Sequence, residues 1–245
     1  MPPTLILASE SPRRRDLLSA ITPDFVVRPS GAEDAGDARE PPEPFPPLYL
    51  APGSQVPAED NPALWAWRKA RTVADQAMDI PDAVIVAADT IVVVDSTVLN
   101  KPLDAAEARA MLRRLAGRTH FVVTGWVLLR VNGRQTTDDR RQAAPTNFGR
   151  QDFHGYQVST VEMRELTDEV IDWYVGTGEP LDKAGAYALQ GQGGALVRSV
   201  DGCRTNVVGL PVCRLRLLLA SAGLPIVLRP DWNMGCVGFY CRDTV

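Results

Sequence analysis

Several common functional signatures are missing from this 245-residue chain, and each absence removes a class of function. No stretch approaches 18 consecutive apolar residues, so no membrane-spanning helix is expected. The apolar run near the start, Thr4–Ala8, is too short for the core of a secretory signal, and its charges follow the run. A cytoplasmic location is therefore expected. The four cysteines, Cys203, Cys213, Cys236 and Cys241, form no CxxC pair, and the two histidines, His120 and His154, stand far from them, which argues against a zinc site. Cys236 and Cys241 are spaced for a disulfide in an oxidising compartment, but free thiols are the default in cytosol. There is no GxxxxGK[ST] phosphate loop and no GxSxG elbow, and the glycines at 191–194 neither follow a strand nor open a helix as a dinucleotide fingerprint would. A net charge of −4 gives no basic face for long nucleic acid. Lysine is also scarce: Lys69, Lys101 and Lys183 are the only three.

What remains is a composition of 45% hydrophobic and 23% charged residues, ordinary for a globular protein, at a length that suits one large α/β domain or two small ones. Thr4–Ala8 reads as a buried strand. Ser11 then caps a helix that has Pro12 at its first position and Leu17, Leu18 and Ile21 on its apolar face. A second strand is expected at Phe25–Arg28. Residues 37–62, rich in Pro, Glu and Asp, read as a surface loop and poor sheet material. Asn61 starts a helix to about Ala77. Two strands follow, Ala83–Ala88 and Ile91–Val94, with Asp89 and Thr90 between them. Asp104 and Glu107 cap a helix to about Leu115. His120–Val131 is a long strand and 132–154 a hairpin connection or insertion. Tyr156–Arg164 is a strand, and Thr167 caps a helix with Val170, Ile171, Tyr174 and Val175 on one face. A turn at 190–194 leads to a strand at Ala195–Val200, and Pro211 opens a last helix. Strands alternating with helices, with hairpins among them, predict an α/β fold with a mixed sheet.

Two places carry candidate chemistry. The segment Ser9-Glu10-Ser11-Pro12-Arg13-Arg14-Arg15 follows a strand and opens a helix. A helix N-terminus offers unpaired N–H groups and partial positive charge, a seat for phosphate, and arginine binds phosphate oxygens in bidentate fashion. The plainer alternative is a capped helix with solvated arginines. The second place is Asp89-Thr90. A carboxylate at the end of an apolar strand is costly unless partnered, and it would hold a divalent cation or take a proton from water. Read from local physics alone, an aspartate that caps a turn is the favoured reading. Each lysine lies near one of these segments or in the loop GEPLDKAGAY, although a solvated surface lysine is the ordinary reading for any one of them. His120 opens a strand and reads as structural.

Five segments in order resemble the Maf family: LILASESPRRRDLL (5–18), VIVAADTIVV (84–93), NKPLDAAEARAMLRRLAGRTHFVVTG (100–125), ELTDEVIDWYVGTGEPLDKAGAYALQGQGGALV (165–197) and TNVVGLPVCRL (205–215). Together they cover about two-thirds of the chain. The resemblance implies a Maf/ITPase-like α/β fold: a mixed twisted sheet with helices on both faces, in two lobes around a deep cleft. It assigns residues 1–223 to that domain, makes 37–60 and 132–154 loop insertions, and leaves 224–245 as an extension. It further implies a hydrolase that cuts nucleoside triphosphates to the monophosphate and pyrophosphate, with a divalent cation (Mg²⁺ or Mn²⁺) as cofactor and often a homodimer. In this sequence Asp89 matches the proposed proton acceptor, with Lys69 and Lys101 also assigned to catalysis. Ser9, Arg13, Arg14, Thr90, Asp182, Lys183 and Gln190 match substrate-binding positions. The metal would sit between Asp89 and an acidic residue after the second strand, Glu33 or Asp34. The A-D-T and L-Q-G signatures resemble the branch acting on dTTP and UTP, with a non-catalytic nucleotide-binding regulator, or a pyrophosphatase for a modified nucleotide such as 7-methyl-GTP, as alternatives. Asn100 departs from the pattern, which has glycine there.

Overall fold

The computed structural model describes residues 2–31, 40–41, 43–132 and 152–229. Its elements are β1 (Thr4–Leu7), α1 (Pro12–Ser19), β2 (Val26–Val27), β3 (Leu48–Ala51), β4 (Ser54–Val56), α2 (Pro62–Gln76), β5 (Asp82–Val94), β6 (Thr97–Leu99), α3 (Ala105–Leu115), β7 (Thr119–Asn132), β8 (Asp152–Met163), α4 (Asp168–Gly176), β9 (Val197–Asp201), α5 (Arg204–Val208) and α6 (Val212–Ser221). The main sheet has seven strands in the order β2-β1-β5-β7-β8-β9, with β6 also paired to β5. The β2-β1-β5 pairings are parallel and the rest antiparallel, so the sheet is mixed, as expected.

The expected caps are in place. Ser11 accepts a hydrogen bond from the backbone N–H of Arg14, Asn61 from Ala63, Asp104 from Glu107 and Thr167 from Val170. In α4 the buried side chains are Ile171, Tyr174 and Val175, whereas Val170 faces outward. At 100° per residue, positions 171, 174 and 175 form a stripe and 170 lies at its margin.

Five expectations change. The two strands on either side of Asp89-Thr90 are one continuous strand, β5, because Asp89 and Thr90 pair in register with Gly125 and Thr124 of β7; neither caps a turn. The proline-rich segment holds a hairpin, β3–β4, whose turn is Pro52-Gly53. Gly53 has φ +78°, a left-handed conformation that glycine adopts readily, and the prolines at 41, 44, 46, 47 and 57 lie outside the strands. Burial of Leu48 and Val56 against Ile91, Val93 and Val123 holds the hairpin to the sheet. β8 begins at Asp152, so the 132–154 connection is shorter than expected at its far end; residues 133–151 lie outside the described residues. Residues Gln192–Leu196 form a 3-10 turn, and β9 begins only at Val197. The strand expected at 25–28 reduces to Val26–Val27.

The core shows where the molecule opens. Side chains alternate along β5. On one face Val84, Val86 and Ala88 pack with Leu17 and Leu18 of α1 and Leu215 and Leu219 of α6, whereas Val92 and Val94 pack with Met111 and Leu112 of α3 and Ile171 and Tyr174 of α4. On the other face Ile85 and Ala87 lie under Ala63, Ala66 and Ala70 of α2, whereas Ile91 and Val93 lie under the hairpin. On both faces the covering layer changes between residues 88 and 91. Asp89 and Thr90 occupy that interval, one on each face.

His120 is buried on β7, its Nε2 2.7 Å from the Tyr187 hydroxyl, and its Nδ1 has no hydrogen-bond partner. Burial pushes its imidazole down from 6.5 to about 4. The unfolded chain therefore takes up a proton between those values and the folded one does not. The stabilisation is complete above pH 6.5 and is lost as pH falls towards 4, by about 3 kcal/mol at 1.36 kcal/mol per unit. Urea midpoints followed from pH 7 to 4 should show this loss in the wild-type protein and a flatter profile in His120→Gln; equal slopes in the two proteins would contradict it.

Candidate active site

A gap in strand pairing makes the site. β1 ends at Leu7, opposite Val86, and β6 rejoins the same edge of β5 only at Val92, opposite Leu99. Across 87–91, β5 keeps β7 on one side and, among the described residues, has no strand on the other. A cavity of about 600 Å³ occupies the opening. Its wall contains Ser9, Arg13, Arg14, Lys69, Asp89, Thr90, Lys101, Asp182, Lys183 and Gln190. Every candidate site residue read from the sequence is thus brought to one place except Glu33, which with Asp34 lies outside the described residues; Ser30 and Gly31, just before them, line the cavity.

Lys69 and Asp89 form its floor. Lys69 is 4% exposed, and its Nζ lies 2.7 Å from Asp89 Oδ1. Side chains of a helix lean toward its N-terminus, so Lys69 reaches back along α2 toward β5. The N-terminus of α2 rests directly on Gly125, the residue paired with Asp89: a Cβ there would lie 2.1 Å from the Ala63 nitrogen. Only glycine allows this approach.

On the other face Thr90 anchors a buried chain. Arg14 donates from Nε to the Gly209 carbonyl at 2.9 Å, from Nη2 to Thr90 Oγ1 at 3.0 Å and from Nη1 to Ser9 Oγ at 3.4 Å. These bonds fix the guanidinium against the cavity, whereas Arg15 is exposed and away from it. Thr90 Oγ1 is 3.0 Å from Thr124 Oγ1, which donates to the Asn206 carbonyl at 2.9 Å. Fully buried Asn206 also accepts from the Thr124 N–H and donates to the Val122 carbonyl and Ser159 Oγ.

The segment 179–183 closes a third side. Arg13 lies 3.7 Å from Asp182, and Lys183 is ion-paired to the same carboxylate. Burial tends to raise the Asp182 carboxyl, but Lys183 and Arg13 outweigh it and hold it below the ordinary range. Gly185, at φ +68°, donates its N–H to the Asn100 carbonyl, which ties the Lys101 turn to this segment. Asn100 itself has no positive φ, so the glycine of the family pattern is not required there.

Glu179, Asn206, Thr124 and Gly125 were not among the candidates. Glu179 accepts from the Tyr174 hydroxyl (2.9 Å) and from the backbone N–H groups of Gln192 (3.1 Å) and Gly193 (3.0 Å), and so holds the loop that carries Gln190. Burial would raise its carboxyl, but these three donors and Lys183 together hold it below the ordinary range. Its only sequence signal was its position in GEPLDKAGAY. Asn206 lay within a matching segment, but nothing local marks an asparagine whose partners are 47 to 84 residues away.

Comparison with known proteins gives one consistent result. The family described as Maf-like protein matches residues 4–222. A dTTP/UTP pyrophosphatase of Anaeromyxobacter dehalogenans (strain 2CP-C) is 39% identical over 226 residues, 92% of this chain and 97% of its own. Proteins of the same name from Symbiobacterium thermophilum and Myxococcus xanthus are 41% and 37% identical over 91% and 92% of this chain, and each is itself covered over 95% of its length.

Glu179→Gln should loosen the 190–194 loop, because an amide places a donor against the donors it now receives. A loss of about 1–2 kcal/mol at neutral pH follows from one charge-assisted bond at a partly exposed site. The wild-type advantage belongs to the carboxylate. It is present above the ordinary value of 4.5 and disappears as pH falls through the lowered folded value. Unfolding midpoints of the two proteins should converge in acid; a constant difference across pH would refute the role.

Proposed function

This chain belongs to the Maf family, and from that premise we propose that it is a nucleoside triphosphate pyrophosphatase acting on dTTP and UTP, which it hydrolyses to the monophosphate and pyrophosphate. The observation that carries the reading is Asp89, a carboxylate held by a buried lysine where the outer edge of β5 has no partner strand among the described residues, facing a cavity whose wall carries Arg13, Arg14, Lys101 and Lys183. The names of the relatives supply the substrates.

The donor set suits a hard divalent cation. Among the described residues no three His, Cys, Asp or Glu side chains cluster into a metal cage. Magnesium characteristically uses one or two carboxylates together with substrate phosphates, and Asp89 supplies such a carboxylate. The charge balance agrees. Arg13, Arg14, Lys69, Lys101 and Lys183 face Glu10, Asp60, Asp89 and Asp182 across the cavity, so the described side chains are close to neutral overall and leave much of a triphosphate's charge unmatched. Asp89, with Glu33 or Asp34, would hold the Mg²⁺ or Mn²⁺; when bound it supplies charge neutralisation of the phosphates and acidifies coordinated water.

The chain's own groups do the rest. Lys69 fixes Asp89 through Oδ1, leaving Oδ2 to take a proton from the attacking water. That water adds at the α-phosphorus and the bond to the bridging oxygen breaks, releasing pyrophosphate. Arg13, Arg14, Lys101 and Lys183 stabilise the charge that develops on the phosphate oxygens, and Ser9 with the first turn of α1 binds phosphate through hydroxyl and backbone N–H groups. Gln190, whose amide both donates and accepts, reads the base edge. Residues 1–223 are the catalytic domain and 224–245 an extension. The enzyme acts in the cytoplasm as a homodimer. No described helix is long and apolar enough to cross a membrane.

Purified protein incubated with canonical and modified nucleoside triphosphates and Mg²⁺ or Mn²⁺ should release pyrophosphate fastest from dTTP and UTP. Asp89→Asn should lower kcat by at least about 10²-fold, the scale of a lost general base, while nucleotide still binds. Binding without cleavage in the wild-type protein would instead favour a regulator, and normal turnover in the variant would remove Asp89 from the mechanism.

A further inference from the structure

The buried chain behind Thr90 fixes the direction of its hydrogen bonds. The Asn206 carbonyl has lone pairs only, so the 2.9 Å contact from Thr124 Oγ1 spends the Thr124 proton. Thr124 Oγ1 is then an acceptor toward Thr90, 3.0 Å away, and Thr90 must donate to it, because two hydroxyl oxygens at that distance with no proton between them would repel. Arg14 Nη2, which can only donate, takes one lone pair of Thr90 Oγ1 at 3.0 Å. One lone pair remains. Thr124 and Asn206 are fully buried, so no water enters to reverse the order, whereas Thr90 is partly exposed and lines the cavity.

We infer that Thr90 presents the cavity with an acceptor and no donor, and that the substrate group it recognises is therefore a hydrogen-bond donor. This rests on the nucleotide reading above and narrows it. A phosphate oxygen or a base carbonyl has no proton to give and is excluded as the partner of Thr90. The donors that dTTP and UTP have in common are the 3′-hydroxyl of the sugar and the imide N3–H of the base. Cytosine carries a lone pair at N3, so an acceptor set against that position would reject it. Asn206, 0% exposed and not itself part of the cavity wall, is in this account the positioning residue that sets the polarity through Thr124.

The test is calorimetric binding of a non-hydrolysable UTP bearing a methylene bridge between the α- and β-phosphorus atoms. Its 3′-deoxy and N3-methyl forms are compared with it on the wild-type protein, Thr90→Val and Thr90→Ser. One of the two modified ligands should bind wild-type protein about tenfold more weakly than the parent, the effect of one hydrogen bond of roughly 1.4 kcal/mol. That penalty should shrink about tenfold in Thr90→Val and persist in Thr90→Ser, and the ligand concerned identifies the donor. If both penalties are the same in Thr90→Val as in wild type while the parent binds, the inference is wrong and the nucleotide reading stands. If the parent fails to bind wild-type protein, both fall. Should Thr90→Val not fold, Thr90→Ala gives the same comparison.

Discussion

A buried lysine needs an anion, and the arrangement of the site follows from where that anion is found. Lys69 sits on the inner face of α2 among Ala66, Ala70 and Val73, where an unpaired ammonium would be expensive. Asp89 supplies a partner at 2.7 Å from the partly exposed side of the pair, and the ion pair offsets part of the cost of burying the ammonium. The pair fixes α2 to β5 at one point. Gly125 allows the backbone of α2 to come close enough for the bond to form. A carboxylate is thereby held rigidly at the place where the sheet edge is open, which is the preorganisation that a general base requires.

The opening itself comes from strand length. β5 has 13 residues, whereas the strands that share its outer edge have four and three. The short strands cover the two ends of that edge and, among the described residues, leave its middle without a partner strand. The layers above and below divide at the same place, with α1, α6 and α2 at one end and α3, α4 and the hairpin at the other. Asp89 and Thr90 then serve opposite faces of one strand. Asp89 meets a cation from α2, and Thr90 meets Arg14 of α1 and the buried chain through Thr124 to Asn206. In the proposed mechanism adjacent residues divide chemistry from recognition, because a strand turns successive side chains to opposite sides.

Much of this was legible in the sequence, and what was not has a physical reason. The caps at Ser11, Asn61, Asp104 and Thr167 were readable because a cap is a local contact between residues two or three apart. The cavity residues were readable as types in order, and all of the described ones meet at one cavity. The turn expected at Asp89-Thr90 was wrong because two polar residues in an apolar run look like a break; register with Gly125 and Thr124 is long-range information. The hairpin at 48–56 was missed because proline content masked the Pro52-Gly53 turn. Glu179 and Asn206 were missed because their function lies in bonds to distant segments, which leave no periodicity to detect.

The account's central claim is that Asp89 directs water at the α-phosphorus, and the fate of oxygen from solvent tests this most directly. Hydrolysis of dTTP or UTP in ¹⁸O-labelled water, with the products resolved by mass, should place the label in the nucleoside monophosphate and none in pyrophosphate. Label in the pyrophosphate would mean attack at the β-phosphorus and would contradict the placement of the nucleotide against Asp89.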